Sequence, residues 1–163
     1  MQFLDRFKEA QARDFEVALG ELRSGRKSSH WIWFIFPQLE SLGFSTTAKF
    51  YGLRGVDEAC DYLRDALLCE RLFLVTRAVV EQLTRGVRLE VLMGGVPDVL
   101  KIISSLTLFQ AAARRLEAID ADLVWTQFIA LSEVALQAAE REGFSRCWVT
   151  RKSIEQASGF FRR

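Results

Sequence analysis

The sequence predicts an all-α fold, a single-domain array of about six to eight packed helices, on three observations. Only two prolines, Pro37 and Pro97, interrupt 163 residues. Apolar side chains recur mostly at spacings of three and four, the period that gathers them on one face of a helix. Half of the residues are apolar and about a quarter charged, a composition that excludes disordered and coiled-coil chains. The length suits one domain, residues 1–163, and a chain of this size buries about two-thirds of its unfolded surface on folding.

The first helix starts near Phe3, carries Phe7, Ala10, Phe15, Ala18 and Leu22 on one side, and ends at Ser24-Gly25, where glycine suits a left-handed stop. A second begins at Val56-Asp57-Glu58 and puts Ala59, Tyr62 and Leu63 together. After a break near Asp65-Ala66, a third runs to Arg85-Gly86 with the stripe Leu68, Leu72, Val75, Val79 and Leu83. Arg77, Glu81 and Arg85 lie four apart on its opposite side, where a solvated ion-pair face is expected. Gly94-Gly95-Val96-Pro97-Asp98 reads as a loop feeding a long helix that reaches about Leu116. Asp120 or Asp122 caps the next helix, with Val124, Phe128, Leu131, Ala135 and Ala138 at helical spacing, and Gly143 closes it. A short last helix is expected from Thr150 to about Ser158, before a terminus Phe160-Phe161-Arg162-Arg163 that docks or frays.

One segment competes with this reading. Trp31-Ile32-Trp33-Phe34-Ile35-Phe36 is aromatic and β-branched enough for a strand. No second strand offers itself as a partner, and a lone buried strand leaves its backbone groups unsatisfied. The expectation is a buried helix that opens at Ser28 or Ser29 and stops at Pro37.

Charge and inventory exclude several functions. Basic and acidic side chains number 22 and 21, so no global field draws the chain to nucleic acid or to an anionic membrane, and neither is expected as a partner. Cys60, Cys69 and Cys147 form no CxxC pair and accompany a single histidine, so no metal site, no disulfide framework and no cofactor are expected. Reduced thiols fit the cytoplasm. Met1-Gln2-Phe3-Leu4-Asp5-Arg6 is charged at once and lacks the apolar stretch of a secretion signal. There is no GxSxG elbow, Walker loop or GxGxxG, so neither serine hydrolysis nor nucleotide binding has motif support.

Two clusters remain where chemistry could sit. His30, the one imidazole, opens the aromatic segment, with Trp31 and Trp33 as stacking walls and Gln38 as a polar anchor beyond Pro37. His30 is the candidate catalytic residue. In the second cluster, Asp98, Lys101 and Ser105 share a helix face, with Ser104 beside them. A glycine-preceded helix start, a lysine one turn in and hydroxyls beyond suit a phosphate or carboxylate. Both clusters also admit a structural role: His30 as a cap, Asp98 as a first-turn acid paired with Lys101, and hydroxyls bonded to the preceding turn.

At these clusters the chain resembles a bacterial family known as domain of unknown function 1810, whose members are often labelled calpastatin. The resemblance is carried by Gly25-Arg26-Lys27, His30-Trp31-Ile32-Trp33-Phe34-Ile35-Phe36-Pro37-Gln38, Gly43, Ser45 and Tyr51, then Glu58-Ala59, Tyr62-Leu63 and Arg71-Leu72. It continues through Asp98, Lys101 and Ser104-Ser105-Leu106-Thr107-Leu108-Phe109 to Gly143, Cys147 and Thr150. It implies an all-helical array and brings no established activity. The calpain inhibitor called calpastatin is a polar, disordered chain, which this half-apolar sequence is not.

The residues support two readings. In the first, the chain is a cytosolic binding domain, with room for an enzymatic role, for a phosphorylated or nucleotide-like small molecule. Its pocket lies between the His30-Gln38 and Asp98-Phe109 segments, with His30, Trp31, Trp33, Gln38, Asp98, Lys101, Ser104 and Ser105 as ligand contacts. In the second, it is a non-enzymatic interaction or structural module whose same residues form a buried polar network.

Overall fold

A computed structural model describes residues 2–160. It is all-α, as the spacing predicts, with nine α-helices and one 3-10 turn among the described residues. The count exceeds the six to eight expected because three helices are single turns of four or five residues, too short for periodicity to reveal.

Helix α1, Gln2–Arg23, buries Leu4, Phe7, Phe15, Ala18, Leu19 and Leu22 and ends at Gly25 in a left-handed turn. The aromatic segment then forms only one helical turn, α2, Ile32–Ile35. It does not open at Ser28 or Ser29, because their amides donate to Glu21 Oε1 at 2.6 and 2.7 Å and hold that stretch against α1 as a loop. Trp31, Ile32, Phe34, Ile35 and Phe36 are buried all the same.

Beyond Pro37 the chain crosses a 3-10 turn, Glu40–Leu42, and a short helix α3, Thr46–Phe50, capped by the Ser45 hydroxyl accepting from Ala48 N. An isolated bridge between Leu39 and Leu53 closes this excursion, and no strand occurs among the described residues. Leu53 N donates to Gln38 O at 2.9 Å, and Glu40 N donates to Leu53 O at 2.8 Å. The crossing is tight at Gly52, where an added Cβ would collide with Glu40 Cα. Only glycine lets the two backbones approach this closely.

Helices α4, Val56–Arg64, and α5, Ala66–Thr84, meet at Asp65, which ends the first and caps the second by accepting from Leu68 N at 3.1 Å. The α5 stripe is buried from Leu68 to Val79, while Arg77, Glu81 and Arg85 face solvent as expected. A single turn α6, Leu89–Met93, precedes α7, Val96–Ile119, which runs three residues past Leu116. Between α7 and α8, Leu123–Arg141, the two aspartates divide the work. Asp122 caps α8 through Val124 N at 3.0 Å, and Asp120 accepts from the Trp125 indole at 2.6 Å. The last helix, α9, Trp148–Phe160, starts before Thr150 and outlasts Ser158. The expectation for the terminus at 161–163 lies outside the described residues.

Helix α7 is the axis of the molecule. It packs against α2, α4, α6, α8 and α9, and from Ile102 to Phe109 every one of its residues is buried. It is long and apolar enough to cross a membrane by length and composition, yet 67% of its most apolar window is buried inside the protein. Enclosure by neighbouring helices accounts for an apolar character on all sides. Its buried hydroxyls follow the back-bonding pattern: Ser104 donates to Leu100 O at 2.9 Å and Thr107 to Ile103 O at 2.7 Å.

Candidate functional site

The loop between α1 and α2 is organised by two charged side chains. Burial alone raises the Glu21 carboxyl, but the Ser28 and Ser29 donors and the Trp31 indole more than offset it, holding the group at about 2. The Trp31 Nε1 donor lies 3.1 Å from Glu21 Oε1. Lys27 turns inward, with only 7% of its side chain exposed. Its ammonium lies 2.8 Å from Asp98 Oδ2, donates to Ser29 O, and sits 4.9 Å from the Trp31 ring centroid. The Lys27 backbone is held as well, donating to Leu92 O at 2.7 Å. Gly94, at φ 76, approaches so closely that a Cβ there would meet Lys27 O at 3.1 Å.

Asp98 also reaches outward, its Oδ1 lying 3.2 Å from Lys101 Nζ. Two ammonium groups therefore share one carboxylate. Lys27 is enclosed and has three partners, whereas Lys101 borders a cleft of about 300 Å³ between α7, the segment after Pro37 and the approach to α9. Gln38, Lys101, Ser104, Ser145 and Cys147 supply its polar lining, over Leu42, Leu100 and Ile103. Lys101 is the sole charged residue of that lining among the described residues. The volume sits at the lower end of the range of about 300–1,000 Å³ typical of small-molecule sites.

The far wall is anchored at two points. Cys147 O accepts from Arg151 N at 3.0 Å, and its sulfur takes the Thr150 hydroxyl at 3.1 Å, with Thr150 fully buried. Arg146 forks onto Glu133 of α8 and also reaches Glu140. Those Arg146 bonds, against the effect of burial, hold the Glu133 carboxyl at about 2, and they raise the Arg146 guanidinium. Glu133 in turn accepts from Gln110 of α7 at 2.9 Å.

The structure brings together Gln38, Lys101 and Ser104, and separates the other expected contacts from the cleft. Asp98 stands one turn back, engaged by both lysines. Ser105 is fully buried, and its hydroxyl has no hydrogen-bond partner among the described residues. Trp31 is 1% exposed and does not line this cleft; Lys27 and Glu21 contact its ring and indole nitrogen. Trp33 is half-buried against the core, and His30 is exposed; neither lines the cleft. Ser145 and Cys147 were not among the expected contacts. The resemblance marks Cys147 and Thr150, but no local motif ties either to Lys101.

Cys60, Cys69 and Cys147 are unpaired. Burial pushes the Cys60 thiol up and the Cys69 thiol up to about 11.

The fold and the cleft define a class: a small helical protein built around one enclosed helix, whose first turns carry a lysine into a cleft. The chain belongs to the family described as protein of unknown function DUF1810, whose model matches residues 1–129. It is similar to the crystal structure of the conserved hypothetical protein Rv1873 from Mycobacterium tuberculosis. The two are 41% identical with a TM-score of 0.65, over 78% of this chain and 84% of that one. No curated protein matches the sequence. Gln38, Lys101 and Ser104 fall within the stretch that the family model matches, whereas Ser145 and Cys147 lie beyond it.

Proposed function

We propose that this chain binds a small phosphorylated molecule in the cleft between Gln38, Lys101, Ser104 and Cys147, in the bacterial cytoplasm. The observation that carries the reading is the charge of the lining: among the described residues, one lysine and no carboxylate. Asp98 balances only one of the two ammonium groups it touches, so a positive charge is left at the mouth of the cleft. An anion there regains the charge-assisted hydrogen bonds that water otherwise supplies. The Gln38 amide donates to the same anion. Ser104, its hydrogen committed to Leu100 O, accepts from a hydroxyl elsewhere on the ligand and not from the anion. The apolar floor excludes water from the remaining faces of the ligand.

His30 stands outside the lining, so no acid–base step falls to it and the cleft binds without a reaction assigned to it. The test is calorimetric titration of the full chain with inorganic phosphate and ribose 5-phosphate, alongside Lys101→Met. Loss of one charge-assisted bond, about 1.5–3 kcal/mol, weakens binding by roughly ten- to hundred-fold. Unchanged affinity in the variant overturns the proposal. A second reading, a structural or interaction module, draws on the closed network of Glu21, Lys27, Trp31 and Asp98. It is preferred if Lys101→Met costs more than about 3 kcal/mol of stability, the signature of a buried network member.

A further inference from the structure

We infer that the ligand also carries a flat, amino-bearing aromatic ring, a mononucleotide being the simplest member of the class, and that Trp148 is its platform. The inference rests on the reading of the cleft as an anion site. Next to the cleft opens a groove of about 970 Å³, bordered by Phe144, Trp148, Arg151 and the Arg146 network. Ser145 lines both compartments. Cys147 faces the cleft and its neighbour Trp148 the groove, so one extended molecule can occupy both without crossing the core.

Trp148 is 68% exposed, although α9 docks on the molecule through the fully buried Thr150. Its indole is therefore not what holds the helix in place. Lys152 Nζ lies 5.7 Å from the centroid of that ring, a flexible surface cation that a nucleobase laying its π-face on the indole displaces.

Charge fixes the direction in which such a ligand lies. The groove contains two carboxylates, Glu133 and Glu140, both engaged by Arg146, together with the exposed Arg151. It is balanced, whereas the cleft, among the described residues, has Lys101 and no acid. A phosphate gains no net attraction from the balanced groove and is drawn to Lys101, which leaves the neutral ring in the groove. There Glu140, of which only Oε1 is taken by Arg146, accepts from a ring amino group through Oε2, which favours amino-bearing bases over unsubstituted rings; Glu133 is already filled by Arg146, Gln110 and Gln137.

The experiment compares AMP, adenosine and ribose 5-phosphate by calorimetry and by tryptophan fluorescence on the full chain. AMP is expected to bind about tenfold tighter than ribose 5-phosphate, the gain that one base–aromatic stack supplies, and to quench the emission. Trp148→Ala removes that gain and the quench while leaving ribose 5-phosphate affinity within about twofold, and Trp148→Phe keeps most of the gain. Unfolding midpoints equal to that of the parent chain show that both variants are folded. Equal affinity for AMP and ribose 5-phosphate, or an AMP affinity indifferent to Trp148→Ala, overturns the inference while the anion site stands. Failure of both phosphates to bind, or indifference of both to Lys101→Met, overturns the anion site and this inference with it.

Discussion

The Lys27 ammonium lies 2.8 Å from Asp98, and the carboxylate is the charge that allows this lysine to be enclosed. Burying an ammonium is costly unless it is paired and hydrogen-bonded. Here the pairing joins the α1–α2 loop to the first turn of α7.

Removing Asp98 strands that charge. Asp98→Asn is expected to lower stability by about 3 kcal/mol, as breaking a buried pair does. Lys101→Met, at the partly exposed end of the same carboxylate, costs less than about 1 kcal/mol. Urea unfolding of both variants checks the contrast, and equal losses would refute it.

Stability is expected to fall in acid. Glu21 and Glu133 are each held at about 2 in the folded chain, below the ordinary value of 4.5. A carboxyl lowered by folding contributes stability that is complete above its unfolded value and is lost as pH drops through its folded one. The loss therefore spans the range from about 4.5 down to about 2. Glu21→Gln flattens part of this slope, which thermal unfolding at a series of pH values measures.

Gly52→Ala forces a Cβ against the Glu40 backbone. Overpacking of this kind costs about 1–3 kcal/mol. Gln38, whose carbonyl is bonded to Leu53 N, shifts with the crossing. The variant is expected to lose phosphate affinity as well as stability, and unfolding with a parallel titration tests both. Retained affinity would separate the crossing from the cleft.

The thiols are expected to differ in reactivity. Cys147 is only partly buried and alkylates first, while Cys60 and Cys69 react when the chain unfolds. Changing all three to Ala leaves a folded chain, at a cost of up to a few kcal/mol at the buried positions. Mass spectrometry of iodoacetamide adducts reads the order, and early modification of Cys69 would contradict it.

The long helices were legible because their apolar spacing, Gly25, Asp65 and Pro97 are local signals that the fold obeys. The helical choice at Trp31–Phe36 also held, although its start did not. Nothing near Ser28 announces that a carboxylate from α1 will claim its amide. Lys101, Ser104 and Gln38 were legible as polar residues in apolar surroundings. Ser145 and Cys147 were not, since their approach to Lys101 is made by α8 turning the chain back on itself. Trp31 misled for a physical reason: an indole that suits stacking suits a core equally well, and only Lys27 and Glu21 decide between them.

The far wall of the cleft hangs from α9, the last helix described, through the Thr150 hydroxyl on Cys147 and the packing of α9 on α7. Terminal elements are the first to open in local fluctuations. A molecule bridging Lys101 and Cys147 would bind the closed arrangement and not the open one, tying its affinity to the fastening of that helix. Amide protons of α9 would then exchange more slowly as ligand is added, while those of the enclosed α7 keep their rate.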